Sequence, residues 1–277
     1  MRRVRALWAS SHPGPSLVVT VLAVALGVAA GLSLWRTLVL AAAVLAGQLS
    51  VGISNDAIDA DRDRAVGRHD KPIARGDIGV RTAWGAAIAA LVLALVLSLV
   101  LGPAMAAVHT VALASAWAYN AGLKSSAWSV VPFVVSFGSF PSLATLSAES
   151  PQLATPWATI AGAVLGAAVH LTNVLPDLDD DDRTGVRGLP HRLGAQASVV
   201  LAVIGILLGA LAVLVGPAGG DVATAGPVAW AFFGAVVAVA IATLAIAARH
   251  PPGRSLFRLT MLGALLLAAQ LVATRGA

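Results

Sequence analysis

The sequence predicts an all-α polytopic membrane protein, a single transmembrane domain over 1–277. Three observations carry that prediction. The 277 residues are 58% hydrophobic and 11% charged, with a mean hydropathy of +0.86, whereas about a quarter of the residues in a soluble domain are charged. The apolar residues fall into runs close to the roughly 20 residues that cross hydrocarbon as a helix. These runs are continuously apolar, unlike the short alternating segments of a membrane β-barrel.

Nine segments meet the length requirement: 15–34, 36–55, 81–101, 103–122, 128–147, 156–176, 195–215, 226–248 and 254–274. The first follows Arg2, Arg3 and Arg5, as a secretory signal would, but the run from Ser16 is of spanning length and no soluble domain comes after it. The second runs directly into Asn55 and Asp56. Gly102-Pro103 separates the third from the fourth, and Pro132 and Pro141 are expected to kink or break the fifth. The sixth leads into a second acidic stretch, and the stretch from Gly216 to Pro227 separates the seventh from the eighth. Each acidic stretch follows an even-numbered segment and is introduced by an Asn, which predicts an internal repeat of four helices. The ninth helix falls outside that repeat and is expected to pack peripherally.

Orientation follows from the basic residues, because cytoplasmic loops carry an excess of Lys and Arg. With the N-terminus inside, 16 of the 18 basic residues are cytoplasmic, and only Arg36 and Arg275 lie outside. This places both acidic stretches on the cytoplasmic face, in what is expected to be a bacterial inner membrane. The net charge of +5 reflects that basic face and not a nucleic-acid partner, since no soluble basic domain is present. The chain has no cysteine, which excludes disulfides, thiolate metal sites and cysteine nucleophiles.

The two acidic stretches hold nine of the thirteen acidic residues: Asp56, Asp59, Asp61 and Asp63 in one loop (55–80), and Asp177 with Asp179 to Asp182 in the other (173–194). At 100° per residue, Asp56, Asp59 and Asp63 fall within about 60° of one another on a helix, near Asn55. Asn173, Asp177 and Asp181 step along one face in the same way, with His170 nearby. Stacked like charges destabilise a helix unless a cation compensates them. Magnesium is held by a few carboxylates together with phosphate oxygens of its substrate, so two opposed clusters read as a magnesium-diphosphate site. Arg68, Lys71, Arg75 and Lys124 are placed to offset the charge of a departing diphosphate. His109 reads as a packing residue. Phe133, Phe137 and Phe140 share a helical face, for which core packing or lipid contact is the ordinary expectation and the lining of an apolar channel, where aromatic rings stabilise positive charge, the alternative.

These motifs resemble the UbiA superfamily of intramembrane prenyltransferases. Asn55-Asp56-x-x-Asp59-x-x-x-Asp63 is similar to its first Asp-rich motif, and Arg68 to Gly76 to the basic segment that follows. Tyr119 to Lys124 resembles its Tyr/Lys element, and Asp177-x-x-x-Asp181 its second motif. The resemblance implies nine helices, Mg2+ as cofactor and a polyprenyl diphosphate as donor, with membrane lipid around the protein. It implies metal ligands among Asp56, Asp59, Asp63, Asp177, Asp180 and Asp181, and diphosphate contacts from Asn55, Arg68, Lys71, Lys124 and Asn173. Asp56, Asp59, Asp63, Asp177, Asp181, Tyr119 and Lys124 are the implied catalytic set. The reaction implied is prenyl transfer to an acceptor whose identity is open. A terpene cyclase would use the same donor without an acceptor. A cation transporter is the reading from another class, but transporter sites lie near the bilayer midplane, and these clusters lie at helix ends.

Overall fold

The computed structural model describes residues 2–68, 70–183, 185–251 and 253–275, excluding the side chains of Arg2, Asp179 and Asp180. It is helical, with no strand among the described residues. The chain opens with α1 (Arg2–Ser10), which the apolar pattern did not predict, and bends by 68° into α2 (Pro13–Ala29). The break coincides with Pro13 and Pro15, whose fixed φ suits the first turn of a helix but not its interior.

From there α3 (Leu34–Ile58) carries the first acidic stretch at its end, and α4 (Ala60–Ala65) continues it beyond a break at Asp59. A single turn, α5 (Pro72–Arg75), precedes α6 (Val80–Leu101), and α7 (Pro103–Ala121) returns after Gly102. Next come α8 (Val131–Leu146) and α9 (Pro156–Val174), the latter followed by a 3-10 turn over Leu175–Asp177 and by α10 (Leu178–Arg183). Pro176 explains the change of helix type, because it has no N–H to donate and its ring clashes with the preceding turn. The chain then forms α11 (Leu189–Leu193), α12 (Ala195–Val215), α13 (Pro227–Arg249) and α14 (Arg254–Ala273).

A helix lies in each of the nine predicted segments. Six of them (α3, α6, α9, α12, α13 and α14) are long and apolar enough to cross a membrane, and the bent pair α1 and α2 would supply a seventh span. The expected count of nine exceeds this. Val131–Leu146 is only 16 residues long, because Pro132 sits in its first turn, while α7 dilutes its apolar surface with His109, Thr110, Ser115 and Asn120.

Packing corrects the expectation for the last helix. Instead of lying at the periphery, α14 packs on α2, α9, α12 and α13 and buries Leu256, Met261, Leu267 and Gln270. Gly residues permit the closest helix approaches. A Cβ on Gly166 of α9 would lie 2.5 Å from the Phe133 carbonyl of α8, and one on Gly52 of α3 would lie 2.6 Å from the Ser11 carbonyl. The first approach holds the aromatic face of α8 against α9, and the second holds the α1–α2 break against α3.

Candidate functional site

Both acidic stretches open on one cavity of about 900 Å3. Its polar wall includes Asn55, Asp56, Asp59, Asp63, Arg68, Lys71, Tyr119, Lys124, Asn173, Asp177 and Asp181. These include every implied metal, diphosphate and catalytic residue except Asp180, whose side chain lies outside the described ones. Residues separated by about 120 positions in the chain thus face a common space.

The first stretch is buried: Asp56, Asp59 and Asp63 are 1%, 6% and 3% exposed. Such burial of carboxylates demands partners. Lys71 donates from Nζ to Asp56 Oδ1, and His12 Nε2 lies 3.1 Å from the same oxygen. Lys124 Nζ donates to both oxygens of Asp59, the Oδ2 contact being 2.6 Å, and Arg62 adds a bond of 3.0 Å to that oxygen. Burial pushes the Lys124 ammonium below its ordinary pKa, against the attraction of Asp59. It pushes the Asp63 carboxyl up, against the pull of Lys71.

Arg68 joins the two stretches. Its Nε and Nη2 grip Asp70 at 2.9 and 3.0 Å, while Nη1 lies 3.7 Å from Asp177 Oδ1. The fork of charge-assisted bonds holds Asp70 down at a pKa of about 2 and raises that of Arg68. Across the cavity, burial lifts Asp181 to about 6, with Arg62 opposing the rise and Asp177 adding to it. His191 Nε2 lies 3.8 Å from Asp181.

The apolar wall is formed in part by Val18, Val19, Phe133, Phe137, Val169 and Met261. Tyr119 packs edge-on against Phe133 and His170, with ring centroids 5.1 and 5.7 Å away. His170 Nε2 is 3.0 Å from Ser129 Oγ, which accepts the Leu189 N–H at 2.8 Å and so pins the loop after the second acidic stretch. Other expected residues lie elsewhere. Arg75 pairs with Asp77 and does not line the cavity, while His109 bonds Ser98 and borders a smaller void of about 50 Å3 together with Phe140.

Sequence reasoning missed His12, Arg62, Asp70 and His191. His12 is the least legible, because a residue 44 positions before Asp56 becomes its neighbour only through the bend between α1 and α2. It is also the one non-glycine with positive φ among the described residues, at 53°.

The donor set suits a hard cation. It is made of carboxylate oxygens, and Asp56 Oδ2 is buried without a hydrogen-bond partner. Among the described residues no three carboxylate or imidazole groups close a metal site.

A profile of the UbiA prenyltransferase family matches residues 16–266. No curated protein matches the chain by sequence. Among solved structures, the apo form of a UbiA homolog from Aeropyrum pernix K1 is similar with a TM-score of 0.76 at 18% identity, over 93% of this chain and 97% of that one. A UbiA homolog from Archaeoglobus fulgidus bound to GPP and Mg2+ gives 0.73 at 16% identity, over 98% and 100%. A digeranylgeranylglyceryl phosphate synthase gives 0.69 at 14% identity, over 99% and 100%.

Proposed function

The chain belongs to the UbiA prenyltransferase family, and from that membership we propose that it is an Mg2+-dependent intramembrane enzyme that ionises a polyprenyl diphosphate and transfers the prenyl group to an acceptor. One observation carries this reading: two distant acidic stretches share a single cavity that is charged on one wall and apolar on the other. A similar fold in a homolog bound to GPP and Mg2+ supports it. On this reading the three helices outside the six apolar spans also cross the bilayer, the four-helix repeat accounts for the matching positions of the acidic stretches, and both stretches face the cytoplasm.

Asp56, Asp59, Asp63, Asp177 and Asp181, with Asp180, would hold Mg2+, which supplies Lewis-acid neutralisation of the diphosphate oxygens. Lys71 and Lys124 now neutralise Asp56 and Asp59. When the donor binds, they are free to turn to the diphosphate. Arg68, already between Asp70 and Asp177, adds a fixed charge to the same anion. Asn55 and Asn173, which line the same cavity, offer amide donors.

As the C–O bond breaks, its electron pair leaves with the diphosphate and an allylic cation remains. Phe133 and Phe137 face that cation with their rings, and the apolar wall keeps water away. Tyr119, in edge contact with Phe133, positions those rings and borders the reacting end of the prenyl chain. A nucleophilic atom of the acceptor then bonds to the cation and loses its proton.

The test is pyrophosphate release from geranyl diphosphate by the purified protein in nanodiscs with Mg2+. Asp56→Asn and Asp177→Asn are each expected to lower the rate by at least about 100-fold, the range for loss of a charge-stabilising group, while the thermal midpoint stays near that of the parent. Parental rates in both variants would sink the assignment. Hydrocarbon or terpene alcohol formed without any acceptor would identify a cyclase instead.

A further inference from the structure

The diphosphate clamp does not account for the cavity wall supplied by α14. That wall consists of Arg254, Phe257, Arg258, Met261, Leu262 and Leu265. They recur every three or four positions and so form one stripe along the helix. The stripe is charged over its first two turns and apolar beyond them.

Among the described residues, the charges on this stripe have no ion-pair partner. Among the described residues, six Lys and Arg side chains line the cavity, and Arg62, Arg68, Lys71 and Lys124 all lie against carboxylates of the acidic loops. Arg254 and Arg258 have no carboxylate at ion-pair distance among the described residues. Their spacing of four puts them on one face, within reach of one ligand group. Arg249, close by in sequence at the end of α13, does not line the cavity. A guanidinium pair that lines a cavity and has no carboxylate at ion-pair distance among the described residues matches a phosphate or carboxylate. The apolar remainder of the stripe matches a hydrocarbon or aromatic body.

We propose that Arg254 and Arg258 form a second, metal-independent anion site, and that the acceptor is an amphipathic anion whose phosphate or carboxylate head sits on this pair with its apolar body along Phe257 and Met261. Naming that ligand the acceptor rests on the prenyl-transfer reading above; binding of the anion itself does not. A phospholipid of the bilayer offers the same headgroup chemistry, and the experiment separates the two.

The protein is placed in phosphatidylcholine nanodiscs with Mg2+ and an unreactive geranyl thiolodiphosphate in the donor site, and binding of hexyl phosphate, hexanoate and hexanol is followed by saturation-transfer NMR. Saturable binding of at least one of the two anions, none of hexanol, and at least tenfold weaker anion binding in the Arg254→Gln/Arg258→Gln double variant are expected. Arg254→Lys/Arg258→Lys should recover part of the loss, and affinity for the thiolodiphosphate should change by less than threefold in either double variant. Absence of saturable anion binding, insensitivity to the Gln variants, or displacement of the anions by the thiolodiphosphate would each overturn the proposal. Complete displacement by phosphatidylglycerol built into the nanodisc would reassign the pair to the bilayer and overturn the acceptor assignment. Pyrophosphate release in the parent reports on the donor reading independently, so failure of one does not imply failure of the other.

Discussion

At the residue scale, His12 shows how backbone strain and a buried charge are combined. Left-handed φ costs a residue with a Cβ about 1–2 kcal/mol, yet His12 holds it, with Nε2 3.1 Å from Asp56. Strain retained at such a place points to a functional demand on geometry. His12→Gly is expected to keep or raise the thermal midpoint while increasing the KM for geranyl diphosphate, because Asp56 loses a partner. His12→Ala should raise the KM as much and lower the midpoint, and equal midpoints in the two variants would count against strain. Asp181 offers a second test, in metal-free protein. Its carboxyl is raised to about 6 by burial, so between the ordinary value of 3.8 and about 6 the folded state binds more proton than the unfolded state. Its contribution to stability therefore grows as pH falls through that window. In EDTA-treated protein, Asp181→Asn should remove that part of the pH dependence of the thermal midpoint, measured between pH 7 and pH 4.5.

At the element scale, the site depends on helices that end or break where the chemistry is needed. Asp59 sits between α3 and α4, and Asp177 closes the 3-10 turn after α9, so the carboxylates project from interrupted helices and not from the continuous stripes that spacing alone suggests. Close helix contacts keep those ends in register. Gly166→Ala would bring a methyl 2.5 Å from the Phe133 carbonyl and 2.7 Å from Phe137 Cβ, and must separate α8 from α9. Overpacking of this kind costs about 1–3 kcal/mol. A drop in thermal midpoint is expected, with a raised KM because His170 and Asn173 ride on α9. An unchanged midpoint would show that α8 yields without loss.

At the scale of the whole molecule, the cavity and the smaller void behind it share Val19, Gln48, Val51, Ala116, Ser136 and Phe137. Phe137 is the largest of these shared walls. Removing its ring should join the spaces and lengthen the channel open to a prenyl tail. Phe137→Ala is expected to raise the ratio of kcat/KM for geranylgeranyl over geranyl diphosphate several-fold, as one or two lost apolar contacts alter selectivity. A ratio equal to the parent's would place the tail elsewhere.

The helical class, the membrane setting and the positions of the long helices were legible in the amino-acid order alone, because a bilayer leaves backbone polar groups no alternative to local hydrogen bonding and so writes helix length into apolar run length. That order also marked the acidic stretches, since carboxylates at the ends of apolar runs are costly without a cation. Which side chains meet is settled by the packing of the folded bundle. His12 reaches Asp56 through a bend, Arg68 spans from Asp70 toward Asp177, and α14 turns its arginines to the cavity instead of packing at the edge. Nearly uniform apolar helices carry little record of which face meets which neighbour, and that choice is made by small-residue contacts distributed over the whole bundle.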